Sequence, residues 1–151
     1  MNLPNRKSIR LPDYDYTQNG AYYVTICTHE RQRLFGQIKE RQMILSGAGW
    51  MVLSWIEKLP IKYPGISLDV HAVMPDHIHL VLFFENSKYS LGEVLRWLKT
   101  QSTNEYIRGV KNGLYAPFQK RVWQRNYYEH VIRNSEDLME IRNYVQFNDA
   151  K

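Results

Sequence analysis

The chain of 151 residues has a single cysteine, Cys27. One thiol cannot build an internal disulfide framework, and such sparing use fits a reducing cytoplasm. No run of 18 apolar residues occurs, so no membrane-spanning helix is predicted. The opening Met1-Asn2-Leu3-Pro4-Asn5-Arg6 lacks the apolar core of a signal peptide. Repeats and low-complexity segments are also missing. These absences together predict a cytoplasmic protein with one globular domain. Acidic residues are the scarcer charge, 15 against 20 Lys and Arg, for a net charge of +5 and a pI near 9.3. A basic balance favours a polyanionic partner. The apolar share of 44% excludes a disordered chain.

What is abundant is aromatic: eleven tyrosines and four tryptophans accompany the basic residues. Aromatics among cations suit single-stranded nucleic acid, whose bases stack on rings while phosphates meet Lys or Arg. Residues 1–20 are polar and carry Arg6, Lys7 and Arg10 before Pro12-Asp13-Tyr14-Asp15-Tyr16. Two readings stand for this arm, a frayed terminus and a basic, aromatic strap across a nucleic-acid groove. Residues 21–151 form the single domain.

Within that domain, residues 21–28 (A-Y-Y-V-T-I-C-T) predict a strand, with Cys27 as a core residue. Residues 34–38 and 42–45 predict a small hairpin around Lys39-Glu40-Arg41. Ser46 caps a helix to about Leu59, with Trp50, Leu53, Ile56 and Leu59 as its buried stripe and Pro60 and Pro64-Gly65 ending it. Residues 67–74 and 77–84 lie too close together for a crossover helix and predict an antiparallel hairpin. Ser90-Leu91-Gly92-Glu93 reads as a capping box for a helix to about Arg108. Residues 111–120 predict a loop. A fourth core strand falls in the second half of 123–132, and Asn134 or Ser135 caps a last helix. The order β-α-β-β-α-β with a final helix predicts a ferredoxin-like α+β sandwich with an antiparallel sheet.

The stretch I-S-L-D-V-H-A-V-M-P-D-H-I-H-L-V-L-F-F-E over residues 66–85 carries the chemistry. Residues two apart on a strand share a face, so His77 and His79 project together, away from Ile78, Leu80, Leu82 and Phe84. Two adjacent imidazoles after a turn suggest a divalent-metal site short of one or two ligands. Their face also holds Val81 and Phe83, so some element must cover it. The last helix is the candidate. It offers Tyr144 and Asn148, four residues apart and on one face. Asn148 can add an amide oxygen as third ligand. A tyrosine beside a metal-bound phosphate need not be ionised in advance, because the metal polarises the phosphoryl oxygens. Such a ligand set suits Mg²⁺ or Mn²⁺ moderately well.

His77-Ile78-His79 after Val73-Met74-Pro75-Asp76 resembles the HUH motif of IS200/IS605-like single-tyrosine transposases, and most closely their REP-associated tyrosine transposase relatives. Further stretches fit that pattern: residues 22–28, Leu34-Phe35-Gly36, Leu68-Asp69, and residues 123–134 (W-Q-R-N-Y-Y-E-H-V-I-R-N). The resemblance implies a metal-dependent nuclease and strand transferase for single-stranded DNA with hairpins, of REP or transposon-end type. Tyr144 would attack a scissile phosphate, leaving a 5′-phosphotyrosine and a free 3′-hydroxyl. His77, His79 and Asn148 would hold the metal, and Glu129 and His130 would support the site. A homodimer is implied as well. Where relatives commonly have Asn-Pro, this chain has Asn148-Asp149.

A second class of function keeps the scaffold without the chemistry: a DNA-binding or regulatory protein relying on the basic arm and on Arg96, Lys99, Arg121 and Arg125. A replication-initiation or relaxase-type nuclease also uses histidine pairs and tyrosine, but a chain of this length has no room for the accompanying helicase or origin-binding domain.

Overall fold

The computed structural model describes residues 19–147. The basic arm with Arg6, Lys7 and Arg10 lies outside the described residues, as does Asn148. Alternation builds the sheet. In β1 (Asn19–Cys27), Tyr22, Val24 and Ile26 are fully buried while their neighbours are partly exposed. β5 (His77–Glu85) is apolar on both faces, with Ile78, Leu80, Leu82 and Phe84 on one and Val81 and Phe83 on the other. A strand that apolar must be covered on both sides.

It lies inside a four-stranded sheet. β4 (Ile66–Met74) precedes β5 in an antiparallel hairpin turned by Pro75-Asp76, and β6 (Tyr128–Ile132) flanks β1. The spatial order is β4-β5-β1-β6, with every neighbouring pair antiparallel. With intervening helices α1 (Gly47–Glu57) and α3 (Leu91–Lys111), this is the expected ferredoxin-like arrangement. A separate hairpin of β2 (Gly36–Lys39) and β3 (Gln42–Leu45) stands beside it. α1 and α3 cover one face, over a core that includes Tyr22, Ile26, Leu80, Leu82, Val52, Ile56, Leu95 and Leu98. α4 (Ser135–Phe147) covers the other face through Ile141 and Val145 against Val81 and Ile132. No described helix is long and apolar enough to cross a membrane.

The caps follow their sequence signals. The Ser46 hydroxyl accepts from the Gly49 amide, Ser90 and Glu93 form a reciprocal capping box, and Asn134 accepts from the Asp137 amide. Three expectations are corrected. Trp50 is 61% exposed, and the buried face of α1 is Ala48, Met51, Val52 and Ile56. Steps of three fall short of a full turn, so positions 50, 53, 56 and 59 spread around the helix instead of forming one stripe. Pro60 does not end a helix; it sits in the first turn of short α2 (Leu59–Lys62), where its missing N–H costs nothing. α3 continues past Arg108 to Lys111, and Gly109 within that stretch leaves room for the Tyr115 ring, which a Cβ there would approach to 2.1 Å.

Candidate functional site

The register of β1 against β5 builds a cleft at one end of the sheet. Thr25 lies opposite His79 and Cys27 opposite His77. Odd-numbered residues of β1 share the histidine face, so Tyr23, Thr25 and Cys27 line the same cleft. It encloses about 680 Å³ and also borders Arg31, Arg33, Asp76, Tyr128 and Tyr144. Cys27, expected in the core, is half-buried at this cleft instead, because it ends its strand there. Burial pushes its thiol pKa up.

The two imidazoles are fixed by partners on their outer nitrogens. His77 Nδ1 is 2.7 Å from Asp76 Oδ1, and Arg31 Nε donates to Asp76 Oδ2 at 3.1 Å. Burial opposes ionisation of Asp76, but the hydrogen bonds from His77 and Arg31 outweigh it and hold its carboxyl below the usual value. His79 is 3% exposed, and its Nδ1 lies 3.0 Å from both Tyr23 Oη and Thr25 Oγ1. Burial, then the neighbouring His77, depress the His79 pKa to about 3, so it is a neutral imidazole near neutral pH.

With Nδ1–H of His77 assigned to the Asp76 carboxylate, its Nε2 carries a lone pair. Assigning Nδ1–H of His79 to the β1 hydroxyls leaves its Nε2 in the same condition. The two Nε2 atoms stand 3.1 Å apart. Facing lone pairs repel unless a cation or proton lies between them. The spacing also suits two nitrogens bound to one cation at roughly 2.1 Å each. A histidine whose other nitrogen meets a carboxylate is the common second layer of a metal site. Among the described residues no further His, Cys, Asp or Glu joins them in a metal-binding group of three.

The covering helix brings in the tyrosine. The Tyr144 ring is 5.7 Å from that of His79, edge-on, and the residue is half-exposed. Tyr144, His77 and His79 therefore meet within one chain, across 65 residues of sequence. Tyr23 belongs to the same cluster but differs chemically. Burial pushes its pKa up to about 12, which keeps it a protonated hydrogen-bonding partner for His79.

The remaining predicted residues divide. His130 is tied to Asp137 of α4 at 2.7 Å and faces the same side as the cleft. Glu129 does not: it lies opposite Val24, on the side of the sheet that meets α1 and α3, because successive strand residues alternate. It therefore does not line the cleft. Arg96, Lys99, Arg121 and Arg125 converge on a second groove of about 740 Å³ between α3 and residues 121–127, beside Asn104, Trp123, Gln124 and Tyr127. Lys99 also ties the groove together. Its ammonium donates to the carbonyls of Gln124 and Arg125 at 2.6 and 3.1 Å, and burial lowers its pKa. The sequence reading missed Tyr23, Thr25, Asp76, Arg31, Arg33 and Tyr128 as cleft residues. Only Asp76, adjacent to the histidine pair, carried a signal.

Residues 17–148 match the family model described as IS200-like transposase. An uncharacterized protein of Haemophilus influenzae is 34% identical over 97% of this chain and 89% of its own length. A REP-associated tyrosine transposase of Escherichia coli K12 is 24% identical over 90% of this chain and 70% of its own. A solved REP-associated tyrosine transposase bound to a REP hairpin shares the fold with a TM-score of 0.63 at 20% identity, covering 92% of this chain and 72% of that one.

Proposed function

This chain belongs to the IS200-like transposase family, and from that premise we propose that it is a metal-dependent nuclease and strand transferase for single-stranded DNA carrying a hairpin. The observation that carries the proposal is the meeting of Tyr144 with two facing imidazoles in one chain. The hairpin substrate is supported by the fold shared with a transposase solved on a REP hairpin.

His77 and His79 would hold Mg²⁺ or Mn²⁺, with Asn148 as the third protein ligand. Such a cation supplies polarisation of the phosphoryl oxygens and stabilises the charge that develops on them. The chain's own residues do the rest. Asp76, held by Arg31, fixes the ring of His77; Tyr23 and Thr25 fix that of His79. Tyr144, half-exposed at the cleft, attacks phosphorus through its phenolic oxygen. The bond to the 3′ oxygen breaks, water receives the phenolic proton, and the departing 3′ oxygen takes one up. The products are a 5′-phosphotyrosine and a free 3′-hydroxyl, which together keep the energy of the broken bond for rejoining.

Arg96, Arg121 and Arg125 offer charge, and Trp123 and Tyr127 rings, to a DNA strand in the second groove. Groove and cleft meet at consecutive residues, since Tyr127 lines the first and Tyr128 the second.

The test is incubation with end-labelled single-stranded hairpin DNA from the flanks of the gene, with Mn²⁺ and with chelator. Wild type forms a covalent protein–DNA adduct only with metal. Tyr144→Phe forms none and keeps DNA affinity within about twofold, since a lost phenolic oxygen removes the nucleophile and little binding surface. Metal-independent binding without any adduct assigns the chain to the non-catalytic, DNA-binding class.

A further inference from the structure

α4 carries Tyr144, yet its apolar grip on the sheet is narrow: Ile141 and Val145 are its buried aliphatic residues, with Leu138 partly buried beside them. A helix resting on one thin seam is free to roll about its axis. A polar side-chain contact stands on each flank of that seam. By helical geometry Arg142 projects roughly 80° to one side of the seam, and Asp137 and Tyr144 to the other. On Tyr144's flank, Asp137 meets His130 of β6 at 2.7 Å. On the opposite flank, Arg142 donates two parallel hydrogen bonds to Asp69 of β4, Nε to Oδ2 at 2.8 Å and Nη2 to Oδ1 at 2.9 Å.

The Asp69 contact depends on an irregularity in the strand. β4 slips its register against β5 between Leu68 and His71. Leu68 packs with the α1 and α3 core, and His71 approaches Glu57 of α1, so both face that layer. Asp69 and Val70 lie between them, and both reach the α4 side, one to Arg142 and one to the apolar seam. A regular strand would send one of the two to the other face. The extra residue lets β4 provide an apolar contact and a carboxylate to the same helix. The hydrogen bonds from Arg142, against the opposing effect of burial, hold the Asp69 carboxyl below its usual pKa, so the pair is charged at neutral pH.

We propose that the bulge-borne Asp69 and Arg142 are positioning residues: together they fix the roll of α4, and with it the angle at which Tyr144 approaches the His77–His79 pair. This rests on the reading of Tyr144 as the nucleophile. Parallel hydrogen bonds between two planar groups constrain orientation as well as distance, which a lysine in place of Arg142 would supply only in part. The neighbouring seam supplies burial and no such angular restraint.

The test uses the full chain with Arg142→Ala and Arg142→Lys, read by amide hydrogen exchange and by single-turnover adduct formation on a hairpin oligonucleotide. In Arg142→Ala, amides of residues 138–147 exchange at least about fivefold faster while those of β5 keep wild-type protection, the pattern of local loosening. The adduct rate falls about tenfold, the scale expected for a displaced reacting group, while Kd for the hairpin stays within about twofold of wild type. Arg142→Lys recovers part of both losses. Unchanged exchange in α4 overturns the clamp, whatever happens to the rate. Exchange rising equally in β5 overturns it too, because the pair would then serve global stability. If wild type forms no adduct, the nucleophile reading fails, and the exchange data still decide whether the pair holds the helix.

Discussion

The two faces of the sheet are held down by different means. Under α1 and α3 the described residues include 24 buried apolar side chains; under α4 there are four. The first face is sealed by volume. The second mixes a small apolar seam with an ion pair, Asp69–Arg142, a side-chain hydrogen bond, His130–Asp137, and hydroxyls directed at an imidazole. On the proposed reading the polar contacts on that face position reacting groups, while the densely packed face supplies the platform. Leu82 and Val81 are consecutive on β5, both fully buried, and face opposite ways.

That pair gives the largest expected contrast. Leu82→Ala should cost about 2–5 kcal/mol by denaturant unfolding, a transfer loss plus a cavity in a dense core. Val81→Ala removes the equivalent of two methylenes and should cost roughly 1.6 kcal/mol. Equal costs would mean that the α4 face is packed as tightly as the other. Next, Asp76→Asn should weaken Mn²⁺ binding by about 10–100-fold in calorimetry with little change in unfolding midpoint, since the carboxylate orients His77. An unchanged affinity would remove Asp76 from the site.

The acid limb of stability sharpens the comparison further. The folded-state pKa of His79 is near 3, below its ordinary 6.5. Between those values the unfolded chain takes up a proton that the folded chain refuses, so stability falls as pH drops. Above about pH 6.5 the imidazole is neutral in both states and this loss is absent. Within the window His79 should impose a slope of about 1.4 kcal/mol per pH unit, measurable by unfolding between pH 6 and about 4. His79→Gln should flatten that slope, and a slope that survives would place its source elsewhere. The smallest effect belongs to the second groove. Arg121→Ala and Arg125→Ala should each reduce the salt dependence of single-strand binding by roughly 0.7 in log–log slope if each meets one phosphate. Adduct formation by the bound complex should not change.

Much of this was legible in the sequence, for identifiable reasons. The alternation of residues 77–84 showed which face was core. The same alternation put His77 and His79 together just after the M-P-D turn, and the demand for a cover on Val81 and Phe83 pointed to the helix with Tyr144. Arg96, Arg121 and Arg125 were recognised as surface cations, and they share one groove. What stayed hidden depends on register and irregularity. Tyr23 and Thr25 reach His79 only because β1 pairs with β5 at one particular offset. Asp69 finds Arg142 only through a bulge that periodicity cannot show. The tie from Lys99 to the carbonyls of Gln124 and Arg125 spans 25 and 26 residues, beyond the reach of a helix pattern. Trp50 read as buried because a step of three was taken for the period of a helix.

The central claim is that Tyr144, facing His77 and His79 in its own chain, is the nucleophile. The most direct measurement is mass spectrometry of the protease-digested adduct formed on single-stranded hairpin DNA with Mn²⁺. The account predicts a nucleotide phosphate linked to the peptide containing Tyr144. Linkage to Tyr128 or Tyr23, the other tyrosines of the cleft, would contradict it.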